Sequence, residues 1–291
     1  MAVRDQAYEL RKLIRRLMPS ASKPQGTPPR LISVAGGRPG VGTTTVALNL
    51  ATALSQQGRR VVLVDHNFQH GNVAALCNLT HFHTVADIWD GTRTIHEVLQ
   101  PGPAGIQIVP APSIADAPAT AMPIQQHRLM DQLKSLGRHA DFVLIDLGAS
   151  RDEFAQRIWQ YCDHSLVITT SDPDSILDGY AMIKGVRDQL EPTNEVGIVI
   201  NQTSAELAHD VYRRIQDSVQ RFLGLNTFMA GAVPTEPTLI FSDAGGQPRA
   251  AAYPLVAQSP ASPAARSLDR IASQLASRPI PIKVPGQLTA A

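Results

Sequence analysis

From Arg30 onward, short runs of apolar and β-branched residues alternate with longer segments that have helical periodicity. Such runs are typical of parallel strands buried on both faces, which are joined by helical crossovers. The predicted strands are LISVA (31–35), RVVLVD (60–65), IQIVP (106–110), FVLID (142–146), SLVITT (165–170), VGIVIN (196–201) and FMAGAVP (228–234). The predicted helices cover 44–56, 124–137, 151–161, 175–190, 206–223 and 263–276. The pattern therefore predicts an α/β fold, a doubly wound and mostly parallel sheet, in one domain at 30–277.

The two ends of the chain differ from this domain in composition. Residues 4–18, RDQAYELRKLIRRLM, place six apolar side chains on one face at helical spacing and carry five basic side chains, which predicts an amphipathic helix within 1–18. Residues 19–29 contain four prolines and a glycine, which predicts an extended linker. Residues 278–291 contain three prolines, which predicts a disordered tail without a membrane-binding helix.

Charge and cysteine content exclude several classes of function. The 26 basic and 25 acidic side chains give a net charge of +1, so no global field attracts nucleic acid or an anionic membrane. Cys77 and Cys162 lack the spacing of a metal site or a secreted disulfide framework, and we expect both to be reduced and buried. Trp89 and Trp159 are expected to pack in or near the core. Because no run reaches the roughly 18 apolar residues of a membrane span, the predicted compartment is the cytoplasm.

The stretch VAGGRPGVGTTTVALNLA, 34–51, has the form of a phosphate-binding loop. Gly37, Gly42 and Thr44 fit the frame G-x-x-x-x-G-K-[ST], with a predicted strand before it and a predicted helix after it. Glycines let the main chain wrap around an anion, and the amides at a helix N-terminus attract it. Thr43, however, occupies the lysine position. A tight turn between strand and helix that binds no ligand remains the alternative.

The order of the motifs over about residues 30 to 276 resembles the MinD/ParA family of deviant-Walker P-loop ATPases. RPGVGTTT is similar to the loop of that family and places Arg38 at its signature lysine and Thr43 at its second lysine. VVLVDHN resembles the strand that ends in D-x-D, with Asp65 retained and Asn67 in place of the second acid. DFVLIDLGAS resembles the Walker B strand and places Asp146 at the magnesium-linked aspartate.

This resemblance implies a bound nucleotide, ATP or ADP with Mg²⁺. VGIVIN places Asn201 where the family reads adenine. Thr44 is the implied Mg²⁺ ligand, with Asp146 acting through a water molecule. The implied nucleotide-binding residues are Gly37, Arg38, Gly40, Val41, Gly42, Thr43, Thr44, Thr45 and Asn201.

Departures from the family pattern affect hydrolysis more than binding. Loss of one strong charge-stabilising donor commonly costs about 3 kcal/mol at a transition state. Arg38 keeps a cation with different geometry, whereas Pro39 removes one N–H and Asn67 removes a carboxylate. The degenerate catalytic candidates are Arg38, Asp65 and Asn67. Because the main-chain amides remain, we expect an ATPase-like protein that binds nucleotide and hydrolyses it slowly or not at all.

A second motif lies at the N-terminus. DQAYELR, 5–11, resembles the D-Q-A-x-x-L-R element that precedes the ATPase core in the FlhG (YlxH-like) flagellar placement group, where it stimulates the GTPase FlhF. From the residues alone, docking on a partner, lying on a membrane surface and packing on the chain's own core all remain open. The resemblance favours docking, and the implied partner-binding residues are Asp5, Gln6, Ala7, Leu10 and Arg11.

The resemblance implies regulation of flagellar placement and number through an SRP-type, FlhF-like GTPase. The further implied partners are flagellar basal-body components and a second copy of the chain, with recruitment to the membrane or pole through partners. One alternative is a CpaE/TadZ-like pilus-positioning protein, which GVGTTT also resembles. Another is an active ATPase that dimerises on ATP, with Arg38 replacing the missing lysines. DNA partitioning is disfavoured by the near-neutral charge.

Overall fold

The protein's fold is described by a computed structural model that covers residues 27–68, 73–80, 83–113, 123–190, 195–237 and 254–279. Within these ranges eight strands form one sheet in the order β3-β4-β2-β5-β1-β6-β7-β8, and every pairing except β3 with β4 is parallel. The strands are β1 (Arg30–Gly36), β2 (Val61–Asp65), β3 (Gln100–Pro101), β4 (Gln107–Val109), β5 (Phe142–Gly148), β6 (His164–Thr169), β7 (Glu195–Asn201) and β8 (Asn226–Val233).

Helices cover both faces of this sheet. They are α1 (Thr43–Gln56), α2 (Val73–Leu76), α3 (Val85–Trp89), α4 (Ile95–Val98), α5 (Pro123–Ser135), α6 (Glu153–Tyr161), α7 (Pro173–Val186), α8 (Ala205–Leu223), α9 (Leu255–Gln258) and α10 (Pro263–Ser277). Buried side chains of α1, α9 and α10 form one core cluster, and those of α5, α6, α7 and α8 form the other. Successive residues of β5 alternate between the clusters, so this central strand contributes to both cores.

The position of β1 determines where a ligand site can form. β1 lies between β5 and β6. The chain therefore adds β5 on one side of β1 and then crosses over to add β6 on the other side. In open parallel sheets, ligands bind at the carboxyl ends of the strands, at the point where the direction of winding changes. The turn after β1 and the ends of β2 and β5 all lie at that edge of the sheet.

The predicted fold class, a doubly wound and mostly parallel sheet, is confirmed. Each predicted strand and helix is present, with ends shifted by a few residues. The sequence analysis did not predict β3 or the short helices α2, α3, α4 and α9. The predicted helix within 1–18 lies outside the described residues, as do most of the linker and the tail from residue 280 onward.

Packing confirms some residue expectations and corrects others. Trp159 is completely buried and Trp89 is 3% exposed, as expected for core residues. Both cysteines are free thiols, but only Cys162 is buried. The expectation of burial is wrong for Cys77, because it follows the one-turn helix α2 and remains partly exposed. Arg278, the first residue of the predicted tail, pairs with Glu195 at the start of β7.

Candidate functional site

The turn between β1 and α1 holds its main chain in a conformation that suits glycine. Gly40 has φ +87° and Gly42 has φ +91°, and Gly42 is also the N-cap of α1. Gly37 lies so close to α7 that a Cβ atom there would come within 3.0 Å of main-chain atoms of Asp178 and Gly179. The first N–H groups of a helix have no partner within the helix. The main-chain donors of this turn are therefore available to an anion, and their contact with a phosphate stays a prediction.

Thr43 fills the lysine position without replacing its function. The residue is 7% exposed, and its hydroxyl lies against Gly36 at the end of β1. A lysine side chain would extend along the loop towards a phosphate, whereas this threonine packs back onto the strand. Thr43 therefore contributes no side-chain cation to the loop.

Two buried carboxylates meet beside this loop, because β2 and β5 pair in register with Asp65 opposite Asp146. The oxygens of Asp65 accept from the N–H of Asn67 at 3.1 Å and the N–H of Val73 at 3.3 Å. One oxygen of Asp146 accepts from the N–H of Gly148 at 3.0 Å. Its other oxygen, Oδ2, has no hydrogen-bond partner within the described part of the chain.

Burial opposes the charge of both carboxylates. Desolvation, reinforced by the charge of Asp146, raises the pKa of Asp65 to about 8. Desolvation also raises the pKa of Asp146 to about 6, while a hydrogen bond from the Thr44 hydroxyl acts against this increase. A divalent cation would relieve the repulsion, and Mg²⁺ prefers oxygen ligands. Thr44 and the free oxygen of Asp146 therefore fit the predicted magnesium site.

Asn67 and Asn201 lie at opposite sides of the loop. The Asn67 amide lies against Gly148, and because an amide is neutral it adds no charge to the carboxylate pair. The Nδ2 of Asn201 donates to the Val41 carbonyl oxygen at 2.8 Å and also lies against Gly42. Asn201 thus secures the loop, and its predicted contact with adenine remains a prediction. In the first turn of α1, the Thr45 carbonyl accepts from Asn49 at 2.9 Å.

Arg38 lies at the rim of the loop among three carboxylates of the α7 segment. Its Nη1 is 3.4 Å from Asp172 Oδ2 and 3.8 Å from Asp174 Oδ2. Its Nε is 3.7 Å from Asp178 Oδ2. Asp172 is also the N-cap of α7, where its side chain accepts from the N–H of Ser175 at 3.0 Å. The charge of Arg38 is therefore directed towards α7.

Arg151 also contacts the loop, and the sequence analysis did not identify it. Its Nη2 donates to the Gly37 carbonyl oxygen at 2.8 Å and lies 3.8 Å from Asp178 Oδ1. Arg151 lies between β5 and α6, and Asp152, the N-cap of α6, follows it. The only signal in the sequence is its position five residues after Asp146, which no motif specifies.

His66 is a second residue that the sequence analysis did not assign to the site. Its ring lies 4.3 Å from the ring of Phe68, 4.8 Å from that of Phe154 and 5.7 Å from that of Trp89. Both ring nitrogens lack hydrogen-bond partners among the described residues. Desolvation lowers the pKa of His66 to about 4, with the charge of Asp152 opposing it. A neutral, aromatic-packed histidine therefore anchors the segment that follows Asp65.

The structure brings the predicted loop residues, Asp65, Asn67, Asp146 and Asn201 together at one edge of the sheet. The predicted partner-binding residues, 5–11, lie outside the described ranges. Within the described ranges, no helix has both the length and the apolar character needed to cross a bilayer.

Comparisons with known proteins agree with this geometry. A protein-family model described as an AAA domain matches residues 29–203. The antiactivator FleN of Pseudomonas aeruginosa is 29% identical over 267 residues, which cover 90% of this chain and 91% of FleN. The flagellum site-determining protein YlxH of Helicobacter pylori is 24% identical over 162 residues, 53% of each chain.

Among solved structures, the septum site-determining protein MinD complexed with Mg-ADP from Pyrococcus horikoshii superposes with a TM-score of 0.64. The two sequences are 21% identical, and the match covers 85% of this chain and 96% of that one. This similarity shows the fold, and the family match spans well over half of the 291 residues. The chain therefore belongs to the AAA-domain family and has the fold of the MinD/ParA P-loop ATPases, as its motifs predict.

Proposed function

We propose that this protein binds ATP or ADP with Mg²⁺ as a regulator of flagellar placement and number, and that it hydrolyses ATP slowly or not at all. The observation that carries the proposal of nucleotide binding is that the loop keeps its main-chain donors and its metal-site residues but lacks the lysine side chain. Its main-chain cradle and the Thr44–Asp146 pair are retained, while the Thr43 side chain packs against Gly36. Main-chain amides at a helix N-terminus can bind a phosphate without a side-chain cation, whereas hydrolysis needs a cation that stabilises the transition state.

The flagellar part of the proposal is supported by similarity and by the N-terminal motif. FleN is named as an antiactivator and YlxH as a flagellum site-determining protein. We place the effector function on DQAYELR, which would act on an SRP-type, FlhF-like GTPase. Ala7, Leu10 and Ile14 would enter an apolar groove of the GTPase, with Gln6 and Arg11 beside its nucleotide. The protein would work in the cytoplasm, as a monomer or a homodimer, and reach the membrane or pole through partners.

An active ATPase that dimerises on ATP is the second candidate for the core. The presence of Arg38 and Arg151 at the rim of the loop favours it, because either guanidinium could compensate for the missing lysine. ATP turnover separates the two candidates. A pilus-positioning role is separated from the flagellar one by the GTPase experiment below.

Titration with a fluorescent ATP analogue, with and without Mg²⁺, tests nucleotide binding. We expect saturable binding that Mg²⁺ strengthens, together with negligible phosphate release. Thr44→Val removes the hydroxyl that would bind the metal ion, so it should reduce the affinity in Mg²⁺ about tenfold, or about 1.4 kcal/mol. Ser55→Ala, at the far end of α1 with its hydroxyl on the Ala104 carbonyl, is the matched control and should bind normally. Absence of binding by the unaltered protein would contradict the nucleotide proposal, and rapid turnover would favour the active ATPase.

Stimulation of a flagellar GTPase tests the N-terminal motif in the full-length chain. The double substitution Gln6→Ala with Arg11→Ala should reduce the stimulated rate of GTP hydrolysis by about tenfold, because a positioned cation and amide act on the transition state. Lys12→Ala with Arg15→Ala changes the charge of the same predicted helix outside the motif and should retain most of the stimulation. Equal losses in both double variants would indicate attraction by charge alone. No stimulation by the unaltered chain would contradict the FlhF-like partnership.

A further inference from the structure

The nucleotide loop lacks its side-chain cation, yet two guanidinium groups lie at its rim. Arg38 follows the first glycine of the loop, and Arg151 reaches it from the segment after β5. The resemblance to the MinD/ParA family assigns the phosphate contact to Arg38. The contacts of the two side chains in this chain favour the opposite assignment.

Arg38 is already paired with acidic side chains. Three carboxylates lie between 3.4 and 3.8 Å from its guanidinium nitrogens. They belong to Asp172 at the N-cap of α7, Asp174 in its first turn and Asp178 one turn later. Moving Arg38 towards a phosphate would separate it from all three and leave these negative charges facing the bound anion. The loss of these ion pairs and the repulsion between the carboxylates and the phosphate both oppose such a movement.

Arg151 differs in its acceptors. Its shortest contact is with a neutral acceptor, the Gly37 carbonyl oxygen at 2.8 Å. Its distance to the nearest carboxylate oxygen, that of Asp178, is 3.8 Å, and 47% of its side chain is exposed. A guanidinium has five N–H donors, so Arg151 can keep its hydrogen bond to the Gly37 carbonyl oxygen and donate to a phosphate as well. Charge-assisted hydrogen bonds are roughly twice as strong as neutral ones, which favours phosphate as the added acceptor.

The position of Arg151 also indicates which phosphate it would meet. The amides at the start of α1, after Gly42, suit the phosphates nearest the nucleoside. Gly37 begins the loop at its other end, and Arg151 lies against the carbonyl of that residue. Asp146, the residue that fits the metal site, precedes Arg151 by five positions on the same edge of the sheet. The guanidinium is therefore placed for the terminal phosphate of a triphosphate.

We propose that Arg151 binds the terminal phosphate of a nucleoside triphosphate in place of the missing lysine, while Arg38 stays paired with α7. This inference rests on the proposed nucleotide binding, and it adds a residue to that site. It also predicts selectivity, because a diphosphate lacks the group that Arg151 would contact.

Equilibrium titration with ATP and ADP analogues that are labelled on the ribose tests the assignment in the full chain. Arg151→Ala should weaken ATP binding about tenfold and ADP binding less than about threefold, since one charge-assisted contact is lost only with the triphosphate. Arg38→Ala should change both affinities less than about threefold. Arg157→Ala is the matched control, because it removes the same charge from α6, where Arg157 pairs with Glu153. Arg151→Lys should recover part of the ATP affinity, because it restores the charge without the planar fork.

The difference between ATP and ADP separates a phosphate contact from a structural role. If Arg151→Ala acted by loosening the packing of the loop, it would weaken the binding of ATP and of ADP equally, and that result would overturn the inference. So would an Arg151→Ala protein that binds like Arg157→Ala, or an Arg38→Ala protein that loses as much ATP affinity as Arg151→Ala. If the unaltered chain binds ATP and Arg151→Ala does not weaken it, this inference fails and the proposed nucleotide binding stands. If the unaltered chain binds neither nucleotide, both fail.

Discussion

A Gly37→Ala variant is expected to lose ATP affinity by about a hundredfold, the equivalent of about 2.7 kcal/mol. The added Cβ would lie less than 3.0 Å from main-chain atoms of Asp178 and Gly179, none of which can rotate away. The loop would therefore have to separate from α7. That shift would displace the amides that precede α1 and the carbonyl that holds Arg151. Titration with the ATP analogue measures the loss, and overpacking of this kind should also destabilise the fold by about 1 to 3 kcal/mol.

Two other glycines provide controls for this variant. Gly40→Ala changes the same loop where no atom lies within 4 Å of the added Cβ, although its φ of +87° strains an alanine by about 1 to 2 kcal/mol. It should weaken ATP binding far less than Gly37→Ala. Gly185→Ala, in the last turn of α7 with open space around it, should bind normally. If Gly37→Ala and Gly40→Ala prove equivalent, close packing of the loop on α7 is not what the site requires.

Asp65→Asn is expected to stabilise the nucleotide-free protein at pH 8 by up to about 5 kcal/mol, because the pKa of Asp65 is raised from 3.8 to about 8 and one pKa unit is worth about 1.4 kcal/mol. Burial and the charge of Asp146 raise the pKa of Asp65 to about 8 in the folded protein, well above its ordinary value of 3.8. The folded state therefore binds more protons than the unfolded state between these two values, so stability falls as pH rises towards 8. An amide at position 65 removes that penalty and keeps one acceptor oxygen.

Urea unfolding in a metal chelator at pH 7 and pH 8 measures this effect. The unaltered protein should lose about 1 kcal/mol between the two pH values, whereas Asp65→Asn should change little. His66 does not interfere, because its lowered pKa makes stability fall with decreasing pH only below about 6.5. Asp188→Asn, at a carboxylate that is 84% exposed, is the matched control and should retain the pH dependence. Added Mg²⁺ should raise the free energy of unfolding of the unaltered protein more than it raises that of the Asp65→Asn variant. Equal pH dependence in both proteins would show that Asp65 is ionised without penalty.

Local patterns in the sequence were sufficient to predict the long elements. Strands such as β5 and β7 are nearly continuous apolar runs, and α8 has a strong amphipathic period, so each could be predicted from its own residues. The short helices α2, α3, α4 and α9 contain four or five residues, too few to establish a period. For α3 a signal existed, because Thr84 and Asp87 form a capping box at its N-terminus. Cys77 was misjudged because its exposure depends on where α2 sits on the surface.

The residues of the candidate site likewise fall into those that the sequence could identify and those whose contacts it could not predict. The loop glycines, Thr44 and Asp146 could be identified because they lie in contiguous motifs whose geometry is local. The contacts of Arg38 could not, since its three carboxylates come from a segment more than 130 residues away in the chain. The aromatic surroundings of His66 likewise combine residues from three separate segments. Residue spacing contains no information about such contacts unless the fold is already known.

The sequence by itself determined the parallel sheet, the phosphate-type loop with threonine at the lysine position, and the order of motifs shared with the MinD/ParA proteins. These features depend on hydrophobic periodicity and on main-chain conformations that neighbouring residues specify. Only the tertiary structure decided that Asp65 and Asp146 share one buried site, that Arg38 is paired with α7, and that Arg151 reaches Gly37. Each depends on how distant strands align, because side-chain charges interact through space and local sequence does not encode those distances.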